Sequence, residues 1–215
     1  MWSGRRVEQS GRKLSYDLGG LFCILVGVFL GLSFYYRNYS LSGWSVPYPY
    51  WFDSIYSLAM LKVFADGALP VLPRYPEFLN APFVANWNDW PMCEDLLFWI
   101  WSLPAKIIPL GLAANLMLVM AHVTSGVSFY CVARMLRSKR VFAVVIAILY
   151  ALLPFGLYRG ITHIMLTYYF TLPMVVLATV WAVGGEAGED RRKLAWVLAT
   201  YFISGLLNPY YLVAA

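Results

Sequence analysis

Six of the eleven acids in this 215-residue chain fall between Asn38 and Pro109: Asp53, Asp66, Glu77, Asp89, Glu94 and Asp95. A positioned carboxylate can take a proton from a hydroxyl or amine, or hold a divalent cation that neutralises a departing phosphate. Asp53 and Asp89 are the candidates for both roles. Asp53 precedes a helical pattern, so it is equally suited to cap the first-turn N–H groups, and capping is compatible with catalysis. Asp89 lies between Trp87 and Trp90, beside Glu94 and Asp95. As solvated loop acids these three also have a purely structural reading. Further along, His163 offers an imidazole to a phosphate or hydroxyl. Arg159, four residues before it, can pair with a phosphate or snorkel to lipid headgroups. Asn208, before Pro209, opens a helix break whose freed backbone groups need partners. His122, next to Thr124 and Ser125 in an apolar run, reads as a helix–helix hydrogen-bonding residue.

The segments that position these residues are written for a bilayer. The chain is 61% hydrophobic and 13% charged, against roughly 45–50% and 25% in soluble domains. Leu18 to Tyr36 and Val141 to Leu157 carry no charge at all. Apolar runs at 18–36, 110–135, 141–157, 166–184 and 194 onward predict about five transmembrane helices, since about 20 residues cross a hydrocarbon core near 30 Å thick. The first run is longer than a signal-peptide core and ends in Phe34, Tyr35, Tyr36 and Arg37, an interfacial margin rather than a cleavage site.

Eleven of the sixteen Lys and Arg lie in the N-terminal tail, the 134–140 link and the 191–193 link. The positive-inside rule puts these in the cytoplasm. The organisation that follows is a cytoplasmic tail (1–17), a first transmembrane helix (18–36), an outer periplasmic or extracellular loop (37–109) and a transmembrane bundle (110–215). The net charge of +5 is thus a matter of topology: no continuous basic groove points to nucleic acid. Cys23, Cys93 and Cys131 lack metal-ligand spacing. Phosphate-cradling glycine loops, zinc spacings and nucleophile elbows are absent.

The outer loop is too aromatic for a linker. Tyr56, Ala59, Met60, Val63 and Phe64 recur at amphipathic spacing, predicting a helix from Asp53 to Asp66 that lies in the interface and stops at Gly67. Pro70, Pro73, Pro76 and Pro82 stiffen the next stretch up to Asn86–Trp90. Leu96 to Ile108, interrupted by Pro104, returns apolar and dips into the interface without crossing. Alternation of the spans delivers Asp53, Asp89 and His163 to one outward cavity.

A basic tail, one span, and a long outer loop opening with Tyr50-Trp51-Phe52-Asp53-Ser54 resemble the start of membrane glycosyltransferases of the GT-C fold. The corner Tyr158-Arg159-Gly160-Ile161-Thr162-His163 and the break Asn208-Pro209-Tyr210-Tyr211 resemble those of bacterial members. The resemblance implies an all-α polytopic enzyme of the bacterial inner membrane, taking a sugar from a polyprenyl-phosphate donor at the outer face. It implies Asp53 as the catalytic carboxylate, with Asp89, Arg159, His163 and Asn208 on substrate and a divalent cation, held by Asp53 or Asp89, as the candidate cofactor. Trp87 and Trp90 are then of the type that packs on sugar faces. Family members have more spans, whereas Val213-Ala214-Ala215 lies inside an apolar run. The expectation is an N-terminal part, inactive by itself, whose partner is the C-terminal remainder of the same protein. The alternative is a non-enzymatic polytopic protein, a transporter segment or assembly partner.

Overall fold

The computed structural model describes residues 18–37, 44–48, 53–68 and 94–213. Within them the chain is helical, with no strand. Three helices are long and apolar enough to cross a membrane: α1 (Leu18–Tyr35), α4 (Leu110–Met135) and the pair α5 (Arg140–Ala151) and α6 (Pro154–Arg159), which together make a 20-residue span. Between α1 and α4 lie α2 (Ser54–Ala65) and α3 (Asp95–Ala105). After α6 come α7 (Ile164–Thr167), α8 (Thr171–Val183), α9 (Glu186–Glu189), α10 (Arg191–Leu207) and α11 (Pro209–Val213).

The expected fourth span, 166–184, is not one helix. Its long part, α8, has 13 residues, about 20 Å at 1.5 Å per residue, against a core of about 30 Å. The pattern of hydrophobicity runs straight through Tyr168, whose backbone (φ −83, ψ 58) is not helical. Pro173 enters α8 within its first turn, where a missing N–H is harmless. In the same way Pro154 opens α6 and interrupts 141–157 at Leu152 and Leu153. The first basic link is a short turn in which Arg137 takes φ 62 after α4; the basic residues Arg191, Arg192 and Lys193 of the second instead open α10, where the Asp190 carboxylate caps the helix by accepting from the Arg192 N–H at 2.8 Å.

Helix α2 matches the expected limits to within a residue. Gly67 stops it: at φ 116 it adopts a conformation that costs a side chain energy. The Ala68 N–H then reaches the Val63 carbonyl at 3.2 Å and the Gly67 N–H that of Phe64 at 3.2 Å, a Schellman closure. The face bearing Met60, Leu61 and Phe64 is buried in a core shared with Phe98 of α3, Ala114 and Met117 of α4, and Ile161 and Ile164. Glu94, expected in solvent, is 1% exposed at the start of α3. A second core joins Ile24 and Val28 of α1 to Tyr130 of α4 and to Ala143, Ala147 and Ala151 of α5.

Segment 44–48 is fastened to α4. Asn115 donates to the Trp44 and Val46 carbonyls at 2.8 Å each and accepts from the Tyr48 N–H at 2.9 Å. Gly111 is what permits the approach, because a Cβ there would sit 1.8 Å from the Ser45 carbonyl oxygen.

Candidate functional site

Asp53 stands immediately before α2, and its carbonyl accepts from the Ser57 N–H at 3.0 Å. Its side chain caps nothing. Backbone angles explain this: an N-cap residue takes β-region values so that its side chain can swing over the first turn, and Asp53 is already helical at φ −67, ψ −5. The carboxylate is directed instead at His163, with Oδ2 3.3 Å from Nε2. Asp53 is 63% exposed at its side chain and His163 33%. The pair is open to a ligand without being fully solvated.

His163 is held by a corner built almost wholly of captured carbonyls. Gly160, at φ 49, turns the chain out of α6. The His163 N–H returns to the Arg159 carbonyl at 3.2 Å, and the Thr167 hydroxyl ties α7 to the Gly160 carbonyl at 3.0 Å. Beyond it, Asn208 donates to the Met165 carbonyl at 2.8 Å, Tyr211 donates to Leu166, and Tyr168 donates to the Met117 carbonyl of α4 at 2.8 Å. Residues 163–168 are thus pinned from α4 on one side and from the α10–α11 break on the other. Asn208, expected on substrate, is 1% exposed, and its Oδ1 accepts from the Tyr210 N–H at 3.1 Å. By this geometry Asn208 is a positioning residue. It stabilises both the segment that carries His163 and the helix break at Pro209.

Arg159 lies in the same corner, partly buried, its guanidinium 5.7 Å from the centre of the Phe155 ring. Among the described residues no carboxylate pairs with it, so its charge is available to an anion. Thr162 joins the group unexpectedly: its hydroxyl oxygen is buried with no hydrogen-bond partner. A buried hydroxyl left this way costs about 1–3 kcal/mol, which a ligand hydroxyl or phosphate oxygen would offset. The only signal for it in the sequence is its place between Arg159 and His163.

Asp89 and the surrounding 86–90 stretch lie outside the described residues. No group of three or more His, Cys, Asp or Glu converges among the described residues. Asp53 and His163 alone supply two donors, short of a cation cage, so these residues do not by themselves fit a divalent ion. His122 is fully buried, and its Nδ1 meets the Ala151 carbonyl at 2.6 Å. That is the interhelical bond expected of it. A carbonyl only accepts, so Nδ1 carries the proton.

The arrangement offers a carboxylate beside an imidazole, with an unpaired guanidinium and an unpaired hydroxyl in the same corner. It can accept a proton at Asp53, in contact with the His163 imidazole. No family model matches the chain, and no curated protein or solved structure matches it.

Proposed function

We propose that this protein is a membrane glycosyltransferase of the GT-C kind, moving a sugar from a polyprenyl-phosphate carrier to an acceptor hydroxyl or amine at the outer face of a bacterial inner membrane. The observation that carries the reading is the Asp53–His163 contact at 3.3 Å. Two ionisable groups from distant parts of an apolar chain meet at one end of the bundle, and the carboxylate does not serve its helix. In the proposed step Asp53 takes the acceptor's proton as the acceptor atom bonds to the anomeric carbon. The bond from that carbon to the carrier phosphate breaks, and its electron pair leaves with the phosphate. Arg159, Thr162 and His163 face the charge that develops there.

The same reading counts five spans, adding α7–α8 and α10–α11 to the three long helices, with α2 near the outer interface. Eleven of the sixteen Lys and Arg would then be cytoplasmic, together with the N-terminus. Asp53, Arg159, His163 and Asn208 would be outside. A transporter would place ionisable groups along a mid-depth path. His122, the ionisable residue in the middle of α4, is committed to a backbone carbonyl.

The test is turnover. Membranes carrying the full-length protein, this chain together with its C-terminal remainder, are given a panel of polyprenyl-phosphate-linked sugars with labelled carrier, and release of free polyprenyl phosphate is measured. Release with at least one sugar, absent from control membranes, is expected; none across the panel removes the reading. Labelling of a cysteine placed at Ser138 from outside intact cells would overturn the orientation.

A further inference from the structure

A cavity of about 370 Å³ opens between α1 and α4, within the about 300–1,000 Å³ range of small-molecule sites. Phe29 and Leu32 form one wall and Leu118 and Val119 the other, with Asn115 and Arg37 also lining it. Asn115 looks like a polar floor but offers little, because both amide hydrogens are spent on the Trp44 and Val46 carbonyls. Filling the space with water would take about a dozen molecules at about 30 Å³ each, every one wanting two to four polar partners. Ser33, Tyr36, Trp44 and Tyr48 also line the space, but its surface is mostly apolar and offers too few partners for that many waters, so hydrocarbon is the favoured filling.

The helices on either side are two of the three able to cross a membrane, which makes lipid the nearest source of hydrocarbon. Arg37 adds a charge. Its guanidinium is held 4.5 Å over the Phe34 ring, and no carboxylate among the described residues neutralises it. An apolar slot next to a fixed, unpaired cation complements a molecule with an apolar chain and an anionic head. None of the lining comes from α2, from α6 or from the 159–163 corner, so the slot is separate from the Asp53–His163 pair. A carrier delivering sugar to that pair is therefore not its natural occupant.

We propose that this cavity holds one acyl chain of an anionic bilayer phospholipid, with Arg37 on the phosphate. The inference does not depend on sugar transfer.

Photolabelling tests it on the full chain in detergent. Phosphatidylglycerol with a diazirine on one acyl chain is bound and irradiated, and the labelled peptides are mapped. Label should concentrate on 29–37 and 115–119. Phosphatidylcholine with the same chain should label these peptides about fivefold less, roughly the advantage one basic residue gives at an anionic surface. Arg37→Gln should abolish that preference, and Val119→Trp, which fills the slot, should remove the label from both lipids. Equal labelling by the two lipids in the wild-type protein would overturn the proposal without recourse to any variant. So would label spread evenly over the exposed helices, or displacement by polyprenyl phosphate at lower concentration than by unlabelled phosphatidylglycerol, which would give the cavity to the carrier.

Discussion

Where α1, α4 and α5 meet, side chains shrink. Ala143, Ala147 and Ala151 recur every fourth residue along α5 and are each fully buried. Gly126 of α4 lies so close that a Cβ would come 3.1 Å from those of Ala151 and from the Ile24 side chain. This is helix association by close approach, suited to a solvent that gives no hydrophobic push. Where α4 and α5 meet the broken stretch from α6 to α8, hydroxyls reach for carbonyls instead. Tyr169 donates into the pair formed by Tyr150 and Ala151 at 3.0 and 2.9 Å, and Ser128 donates to Phe170. The difference follows from proline. Pro154 has no N–H to return to the Tyr150 carbonyl four residues back, which keeps only a long bond from the Leu153 N–H at 3.3 Å, and a carbonyl so weakened in an apolar setting takes a further donor. Regular helices need only a smooth seam; broken ones need a polar network, and the network is where Asp53, Arg159, Thr162 and His163 have collected.

That contrast predicts that the two regions fail differently. On the proposed function, Asp53→Asn in the full-length enzyme should lower transfer about 10²- to 10⁴-fold, the usual loss for a general base, while the unfolding midpoint stays put. Asp53 is exposed and caps nothing, and such surface changes fall within about 0.5 kcal/mol. Turnover assays beside thermal unfolding check this; a large loss of stability would return Asp53 to a structural role.

Ala147→Leu should do the reverse. Forcing a larger side chain into the seam costs about 1–3 kcal/mol, read as a lower unfolding midpoint in a denaturing-detergent titration, without a specific effect on the substrate response of the remaining folded protein. Tyr169→Phe comes next, at about 0.6–1.7 kcal/mol, the range measured for interhelical hydrogen bonds in membranes. A neutral result there would mean that the Leu153 N–H on the Tyr150 carbonyl and the His122 Nδ1–H on the Ala151 carbonyl suffice without the tyrosine, and the polar-network account would lose its main support.

The three spans that form the seam are legible in the sequence, and little of the network is. The limits of α2 follow from the spacing of Tyr56, Met60, Val63 and Phe64, and the turns after α4 and α8 from clustered basic residues and glycines. The meeting of Asp53 with His163 is accessible because counting spans assigns residues to faces. The breaks at Leu152–Leu153 and Tyr168–Phe170 are not, since hydropathy is blind to whether an apolar stretch is continuous helix. Prolines 154 and 173 mark them, but a proline tolerated in a first turn and one that ends a helix look alike locally. Tyrosines in apolar runs suggest ring packing, whereas Tyr168 and Tyr169 act through hydroxyls whose partners are remote in sequence. An acid beside Asp95 in a loop ordinarily lies in solvent; the burial of Glu94 depends on the packing of α2 on α3, which no local pattern encodes.

The smallest effect concerns the border between the two regions, which runs through one residue. Ala151 presents its Cβ to the seam, near Gly126, and its carbonyl to the network, where His122 and Tyr169 both meet it. A leucine at 147, one turn away on the same face, should push α5 from α4 and carry the Ala151 carbonyl with it. The Tyr169 bond would then be partly lost before Tyr169 is changed. The double variant Ala147→Leu with Tyr169→Phe should therefore be less destabilised than the sum of its parts, by about 0.5 kcal/mol, the lower end for coupled neighbours. The Thr179–Tyr201 hydrogen bond at 2.7 Å between α8 and α10 shares no partner with Ala151. Thr179→Val combined with Ala147→Leu should accordingly add to within the about 0.3–0.5 kcal/mol expected of independent sites. Strict additivity in the first cycle would show that seam and network are separate all the way to Ala151, while strong coupling in the second would erase the distinction between them.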